Sequence, residues 1–141
     1  MKVKIGDDLP SAQVFFLDNS NLVQKKDIRD FTFGRKIIIF GLPGAFTSVC
    51  SAKHLPGFIK LYEDALKKDV ENIFCLSVND PFVMKAWGDQ NNVGNKIKML
   101  GDPFCDFTKL MGLETDKSEK GLGIRSSRYT MLVDKGKIKK I

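Results

Sequence analysis

The sequence has few of the residues from which metal sites and disulfide frameworks are built. Its 141 residues include three cysteines and a single histidine, His54. The cysteines, Cys50, Cys75 and Cys105, are odd in number, widely spaced and without a C-x-x-C pair. This pattern excludes a disulfide framework and disfavours a thioredoxin-type disulfide reductase. A zinc site would need carboxylates in place of the missing histidines, so we predict no metal.

Long apolar runs and a secretion signal are also missing. The apolar stretch 37–46 is interrupted by glycines and a proline and is too short to cross a bilayer. The N-terminus, MKVKIGDDLP, lacks the charged-then-apolar order of a signal peptide. We therefore predict no membrane partner and an intracellular, reducing compartment. That compartment is the cytoplasm, or an organelle after removal of a targeting peptide.

The positive charge of the chain does not indicate nucleic acid. The formal net charge is +6, but the last eight residues, DKGKIKKI, hold four lysines against one aspartate. No cluster of basic residues interleaved with aromatics occurs elsewhere, so we predict no nucleic-acid partner. The 43% hydrophobic and 28% charged content is typical of a soluble globular protein. The length suits one domain over residues 1–141.

Strand and helix patterns alternate along the chain and predict an α/β fold with a mixed central sheet flanked by helices. Apolar runs predict strands at 12–17, 36–40, 72–78 and 98–100, and Lys135-Gly136 predicts a hairpin between 128–134 and 137–141. Helices are expected at 25–30, 48–68, 81–89 and 104–112, the second kinked near Pro56 and the third started by Asn79-Asp80-Pro81. We expect residues 118–127 to form a loop or a broken helix. No covering helix follows Ile141, which predicts that a C-terminal segment is missing.

Cys50 differs from the other two cysteines. It follows the strand 36–40 through the turn GLPGAFTSVC, so it lies at the carboxyl edge of the sheet, where α/β sites form. It also lies in the first turn of the predicted helix, whose N–H groups and dipole favour a thiolate. Thr47, three residues earlier, can direct a hydroxyl to the same point. Cys75, within the apolar run NIFCLSV, is expected to be a buried structural residue, as is Cys105.

Two kinds of thiolate chemistry were weighed for Cys50. A cysteine protease would need His54 as its base, but a partner four residues away on one helix leaves little room for a substrate carbonyl. Attack on a peroxide needs a thiolate, hydrogen-bond donors and a cation that stabilises developing charge. Either Arg125 or Arg128 is a candidate for the cation.

At these residues the sequence resembles the peroxiredoxins. The signature P-x-x-x-T-x-x-C is matched by Pro43, Thr47 and Cys50. The stretches PGAFTSVCSAKHLPGF and CLSVNDPFVMKAWG resemble the type II, peroxiredoxin-5-like (atypical) branch, as does Arg128 before Tyr129. The resemblance implies a thioredoxin-like fold and no metal or organic cofactor.

The resemblance also implies a role for each matched residue. Cys50 would be the peroxidatic cysteine, which reduces hydrogen peroxide or an alkyl hydroperoxide and becomes a sulfenic acid. Thr47 would hydrogen-bond the thiolate and the peroxide, and Arg128 would lower the cysteine pKa and stabilise the polarised O–O bond. Pro43 would shield the sulfur, and Gly44 would permit close backbone approach to the peroxide.

The sequence departs from the family pattern in two ways. Ser48 replaces a usual proline, which leaves the chemistry intact because serine can cap a helix but affects the rigidity of the loop. No cysteine follows Cys105 to act as a resolving residue. We therefore predict a one-cysteine cycle whose sulfenic acid is reduced by an external thiol, glutathione with glutaredoxin rather than thioredoxin. Members of this branch also form homodimers through the face beside the active site. The alternative is a non-enzymatic redox sensor or holdase-like binding protein that uses the same thiol.

Overall fold

The structure is a computed structural model that describes residues 2–47, Gly57, Asp64 and 68–141. In this described part of the chain we number the strands β1 to β9 and the two α-helices α1 and α2. The strands are β1 Gln13–Leu17, β2 Val23–Asp27, β3 Lys36–Gly41, β4 Asn72–Ser77, β5 Lys98–Gly101, β6 Glu114–Asp116, β7 Ile124–Ser126, β8 Tyr129–Asp134 and β9 Lys137–Lys140. The helices are α1 Pro81–Gln90 and α2 Asp106–Leu110, and short 3-10 helices span Ile28–Phe31 and Ser118–Lys120.

Seven strands form one mixed sheet in the order β2-β1-β5-β4-β3-β8-β9. The central strands β3, β4 and β5 are parallel, whereas β1 and β8 run antiparallel to their neighbours. β3 and β4 are almost wholly apolar because both of their faces are buried, one against each of two hydrophobic clusters. The predicted α/β fold with a mixed central sheet is confirmed.

Most predicted elements lie where the sequence placed them. The 81–89 helix is α1, and the Asp80 side chain caps it by accepting from the Val83 N–H at 2.9 Å. The hairpin of β8 and β9 closes through Lys135 and Gly136, both with positive φ. The 104–112 helix is shorter than predicted, since α2 covers only Asp106–Leu110.

The prediction of one or two helical turns over 25–30 is wrong for the first half of that stretch, whereas residues 28–30 are helical. Residues 25–27 belong to β2, which pairs with β1 along its whole length, from Gln13 opposite Asp27 to Leu17 opposite Val23. The five residues of β2 are largely exposed, so this edge strand lacks the apolar pattern that would identify it. A 3-10 helix follows, capped by Asp27, whose side chain accepts from the Arg29 N–H.

Residues 118–127, expected to be a loop or a broken helix, contain more structure than predicted. A 3-10 helix at Ser118–Lys120 is followed by β7, which pairs antiparallel with β6 in a separate two-stranded sheet. This small sheet brings Thr115 opposite Arg125.

The predicted 48–68 helix and its kink at Pro56 lie mostly outside the described residues. Gly57 and Asp64, the two positions described within its core, are both helical. Among the helices of the described residues, none has the length and apolar character needed to traverse a lipid bilayer.

Candidate functional site

The chain turns sharply after β3, at the edge of the sheet where the parallel strands β3, β4 and β5 end. We call this side the carboxyl-end edge and residues 42–47 the 42–47 turn. Gly41, the last residue of β3, pairs with Leu76 on β4 and with Tyr129 on β8, and a Cβ atom on it would overlap the Tyr129 ring. Leu42 is fully buried, and its N–H donates to the Leu76 carbonyl at 3.3 Å. The turn therefore starts from a position that the sheet fixes.

Gly44 lies in the most crowded part of the turn. A Cβ atom built on it would stand 2.6 Å from Arg125 Nη1 and 2.6 Å from Thr47 Cγ2. Real Cβ atoms do not approach other heavy atoms this closely, so any side chain here would displace Arg125 or Thr47. The groups that crowd Gly44 are two candidate site residues, and the close backbone approach to the peroxide stays a prediction.

The Thr47 hydroxyl points back onto the turn. Its Oγ1 donates to the Gly44 carbonyl at 2.7 Å. A threonine hydroxyl has one hydrogen and two acceptor lone pairs. In this arrangement the hydrogen is already used, so the oxygen can receive a further hydrogen bond but cannot donate one. Thr47 is half-buried, and Pro43 likewise.

Two polar residues from β4 and the loop after it hold the 42–47 turn in place, and sequence reasoning did not single them out. Asn79 Oδ1 accepts from the Ala45 N–H at 3.0 Å and from the Ser77 hydroxyl at 2.8 Å. The same Ser77 Oγ lies 3.2 Å from the Leu42 carbonyl oxygen. The available signal was position alone, because both residues come at the carboxyl end of a parallel strand, where α/β sites collect.

The two candidate arginines reach this edge from different elements. Arg125, on β7, donates from Nη1 to the Pro43 carbonyl at 3.3 Å and from Nε to the Leu122 carbonyl at 2.9 Å. Arg128 directly precedes β8, whose first residue, Tyr129, is paired with Gly41. Both arginines therefore stand at the carboxyl-end edge. The Arg125 guanidinium contacts the turn directly, at the Pro43 carbonyl.

The two described cysteines have the environment of structural residues. Cys75 is fully buried in β4 between Phe40 on β3 and Met99 on β5. Burial raises the pKa of the Cys75 thiol far above its usual range. Burial, followed by the negative charge of Asp102, also raises the pKa of Cys105. Both thiols are held in the unreactive, protonated form, as predicted for buried structural cysteines.

The remaining predictions for the site concern residues outside the described part of the chain. Cys50, Ser48 and His54 all fall there. Within the described residues, no group of three or more histidine, cysteine or carboxylate side chains is arranged to hold a metal ion.

The chain is similar to known proteins along nearly its whole length. A family model described as Redoxin matches residues 4–141. Peroxiredoxin-2B of Arabidopsis thaliana is 43% identical over 136 residues, which cover 96% of this chain and 84% of the relative.

Solved structures show the same relationship. Reduced Prx3 of Vibrio vulnificus, in complex with hydrogen peroxide, superposes with a TM-score of 0.90 at 40% identity and covers 96% of this chain and 84% of its own. The Plasmodium falciparum antioxidant protein, described as a 1-Cys peroxiredoxin, has a TM-score of 0.91 at 30% identity. The match covers 98% of this chain and 82% of the Plasmodium protein. The thioredoxin-like fold predicted from the sequence is confirmed.

Proposed function

We propose roles for the residues around the 42–47 turn from the premise that this chain belongs to the Redoxin family and is a peroxiredoxin, a thiol peroxidase. The proposal is that Cys50 is the peroxidatic residue, that Thr47, Arg128, Pro43 and Gly44 complete its site, and that an external thiol regenerates it. The observation that carries it is the turn itself, which Ser77, Asn79 and Arg125 hold at the carboxyl-end edge directly before the segment that contains Cys50.

The proposed cycle has two stages. The Cys50 thiolate attacks one oxygen of the hydroperoxide, so that an S–O bond forms, the O–O bond breaks, and water or an alcohol leaves after taking up a proton. An external thiol then attacks the sulfenic sulfur, which forms a mixed disulfide and releases water. A second thiol reduces the mixed disulfide and restores Cys50. Two thiols are oxidised for each hydroperoxide reduced.

The described contacts support a distinct part for each polar group. Because the Thr47 hydroxyl already donates to the Gly44 carbonyl, we assign it to accept a hydrogen bond from the peroxide O–H. Arg128 would act on the thiolate and the O–O bond, since a nearby cation favours charge on both. Arg125 would be a positioning residue, because its guanidinium binds the Pro43 carbonyl.

The two arginine roles can be separated by conservative variants. We expect Arg128→Lys to lower kcat/KM and to raise the pKa of Cys50, followed through the pH dependence of its alkylation by iodoacetamide. Arg125→Lys should lower kcat/KM while leaving that pKa unchanged. If Arg125→Lys shifts the thiol pKa and Arg128→Lys does not, the two roles are exchanged.

The decisive test of the peroxidatic residue is consumption of tert-butyl hydroperoxide with glutathione and glutaredoxin. Cys50→Ser should reduce turnover to the rate without protein. Cys75→Ala and Cys105→Ala are matched controls and should retain most of it, because both thiols are buried and protonated. Activity in Cys50→Ser equal to the parent would refute the assignment, and a large loss from either control would point to an internal disulfide. A single turnover followed by a stall would instead support a redox sensor.

The burial of the other thiols supports an external reductant. Neither Cys75 nor Cys105 is exposed for attack on a sulfenic acid, so we assign regeneration to glutathione and glutaredoxin in preference to thioredoxin. Rates with glutathione alone, with glutaredoxin added and with thioredoxin and its reductase compare the three directly. A thioredoxin rate above the glutaredoxin rate would overturn the preference. An intracellular, reducing compartment stays a prediction and is compatible with this choice.

We also place a homodimer contact on the face beside the turn. Phe46 has a left-handed backbone, with φ of 62°, and its side chain is 54% exposed while its ring meets the Trp87 ring edge-on at 6.5 Å. A large exposed aromatic held in an uncommon conformation indicates a contact surface. Sedimentation should show that Phe46→Asp gives monomers, whereas Phe33→Asp, 72% exposed and before β3, leaves the dimer intact. Identical behaviour of the two variants would contradict this surface.

A further inference from the structure

Lys98 has an unusual position at the other end of the sheet. It is the first residue of β5, at the edge where the parallel strands begin, which we call the amino-end edge. Its Nζ stands 3.9 Å from the centroid of the Phe16 ring and 5.6 Å from that of Phe31. The side chain is half-buried. The ammonium group thus rests on aromatic faces, where part of its hydration is lost.

A second lysine shares one of these rings. Lys26, on β2, places its Nζ 4.8 Å from the Phe31 centroid. The ion pairs of the described residues are Lys85 with Asp89 and Lys137 with Asp8, so neither Lys26 nor Lys98 has a carboxylate partner among them. Two positive charges therefore face one apolar ring, and no carboxylate of the described residues is ion-paired with either of them.

Lys98 also lines a cavity of about 400 Å³ between the turn after β1, the end of α1 and the start of β5. The carboxylates in its wall are already engaged. Asp18 accepts from the N–H groups of Ser20 and Leu22 and from the Gln24 amide, and Asp89 is paired with Lys85 at 2.9 Å. Neither of these carboxylates is ion-paired with Lys98.

These surroundings change the chemistry of the amine. Burial is the largest cause that lowers the pKa of Lys98, and the charge of Lys26 lowers it further. The charged groups on the elements packed around it are Asp18 directly after β1, Lys25, Lys26 and Asp27 on β2, Arg29 and Asp30 before Phe31, and Lys85 and Asp89 on α1. Of these, Lys26 is the one whose charge acts on the Lys98 pKa. A lowered pKa increases the fraction of neutral amine, which is the nucleophile.

We propose that Lys98 is an acylation site that takes its acyl group from an acyl phosphate attracted by the Lys26 ammonium. The neutral Lys98 nitrogen attacks the acyl carbon, so that a C–N bond forms and the C–O bond to phosphate breaks. The phosphate leaves with the bonding electron pair, and the amine proton passes to solvent. No redox change occurs. Lys26 supplies the charge that draws the anionic donor toward Lys98, since both ammonium groups lie on the Phe31 ring. This site lies at the opposite edge of the sheet from the 42–47 turn and does not depend on the peroxidase cycle.

The test is the rate of acetylation at each lysine with acetyl phosphate as the donor, followed by peptide mass spectrometry. At pH 7.5 we expect Lys98 to react several-fold faster than Lys139, an exposed lysine on β9, because burial and the Lys26 charge increase the neutral fraction of the Lys98 amine. Lys26→Gln should slow Lys98 several-fold. Lys25→Gln, which removes the same charge from the neighbouring position on β2, is the matched control and should change the Lys98 rate less than twofold.

A second donor separates attraction of the anion from reactivity of the amine. With uncharged acetic anhydride, Lys26→Gln should affect Lys98 less than it does with acetyl phosphate. The proposal is overturned if Lys98 reacts no faster than Lys139. It is equally overturned if Lys26→Gln and Lys25→Gln have the same effect, or if the two donors give the same Lys26→Gln effect. Far-UV circular dichroism of each variant verifies that the fold is intact.

Discussion

The two edges of the central sheet use polar side chains in opposite ways. At the carboxyl-end edge, Asn79, Ser77 and Thr47 are hydrogen-bonded to the backbone of the 42–47 turn or to one another at 2.7 to 3.2 Å. At the amino-end edge, Lys26 and Lys98 rest on aromatic rings without a carboxylate partner among the described residues. Directional hydrogen bonds fix positions, whereas charges above a ring fix little but change the reactivity of the amine.

Because of this difference, the carboxyl-end edge is suited to a peroxidase site and the amino-end edge to a reactive amine. A peroxidase site must hold its reacting groups to within fractions of an ångström, and neutral hydrogen bonds to a rigid strand end provide such a constraint. An amine that reacts with a small acyl donor needs mainly a neutral nitrogen and access to solvent. Variants at the two edges should therefore differ in which measured quantity they change.

The largest effect at the carboxyl-end edge is expected from Gly44→Ala. Its new Cβ would lie 2.6 Å from both Arg125 Nη1 and Thr47 Cγ2, so the turn or both side chains must move. Displacement of a catalytic group by about 1 Å lowers kcat/KM on the order of 100-fold. The matched control is Gly57→Ala, where an added Cβ meets no atom within 4 Å. Steady-state peroxidase kinetics give kcat/KM for both variants. Equal losses of kcat/KM in Gly44→Ala and Gly57→Ala would refute the crowding argument.

A smaller effect is expected from Asn79→Leu, which removes the acceptor of the Ala45 N–H and of the Ser77 hydroxyl. Leaving those donors unpaired costs about 1–3 kcal/mol of unfolding free energy. We expect kcat/KM to fall as well, by about 10-fold if about 1.4 kcal/mol of transition-state stabilisation is lost. Asn79→Asp retains the accepting oxygen and should recover most of both losses. If Asn79→Asp is as impaired as Asn79→Leu, the acceptor is not what positions the turn.

The central fold was predictable from the sequence because its signals are local. The apolar runs of β3 and β4, the Asp80-Pro81 start of α1 and the Lys135-Gly136 turn each carry their own pattern. Residues 25–27 of β2 were mistaken for helix because β2 is exposed and its strand conformation depends on pairing with β1. The pairing of β7 with β6 was not predicted either, because neither segment has an alternating apolar pattern.

The site was predictable where sequence order determines position, and not where two segments meet. Pro43, Gly44 and Thr47 follow one strand, so their neighbourhood was visible in the sequence. The bond between Asn79 and Ala45 joins residues 34 positions apart, and the bond between Arg125 and Pro43 joins residues 82 apart. No local pattern encodes such contacts. The choice between Arg125 and Arg128 accordingly needed the family resemblance.

Tyr129 differs from the hydrogen-bonded polar residues at the carboxyl-end edge, and Tyr129→Phe tests whether its hydroxyl contributes to stability. The buried hydroxyl has no hydrogen-bond partner among the described residues, so its removal should be neutral or stabilising by about 1 kcal/mol, and thermal denaturation should show a rise in Tm of about 3 °C. Burial, then the negative charge of Asp102, raises the Tyr129 pKa. If the Tyr129 phenol ionises only in the unfolded chain, the free energy of unfolding falls as the pH rises past about 10. The stability of Tyr129→Phe relative to the parent should therefore increase above that pH. Destabilisation by Phe would reveal a partner for the hydroxyl.

The smallest expected effect completes the comparison. Lys26→Gln changes the charge at the amino-end edge but touches no group that positions the 42–47 turn. We expect its kcat/KM with tert-butyl hydroperoxide to stay within about twofold of the parent, because substitutions at exposed positions without such contacts alter free energies by about 0.5 kcal/mol or less. The same variant should slow acetylation of Lys98 several-fold. A peroxidase loss comparable to that of Asn79→Leu would mean that the two edges are coupled through the sheet, since β5 and β4 pair from Lys98 opposite Phe74 to Gly101 opposite Ser77. Independent responses would show that the sheet carries two separate chemistries at its two ends.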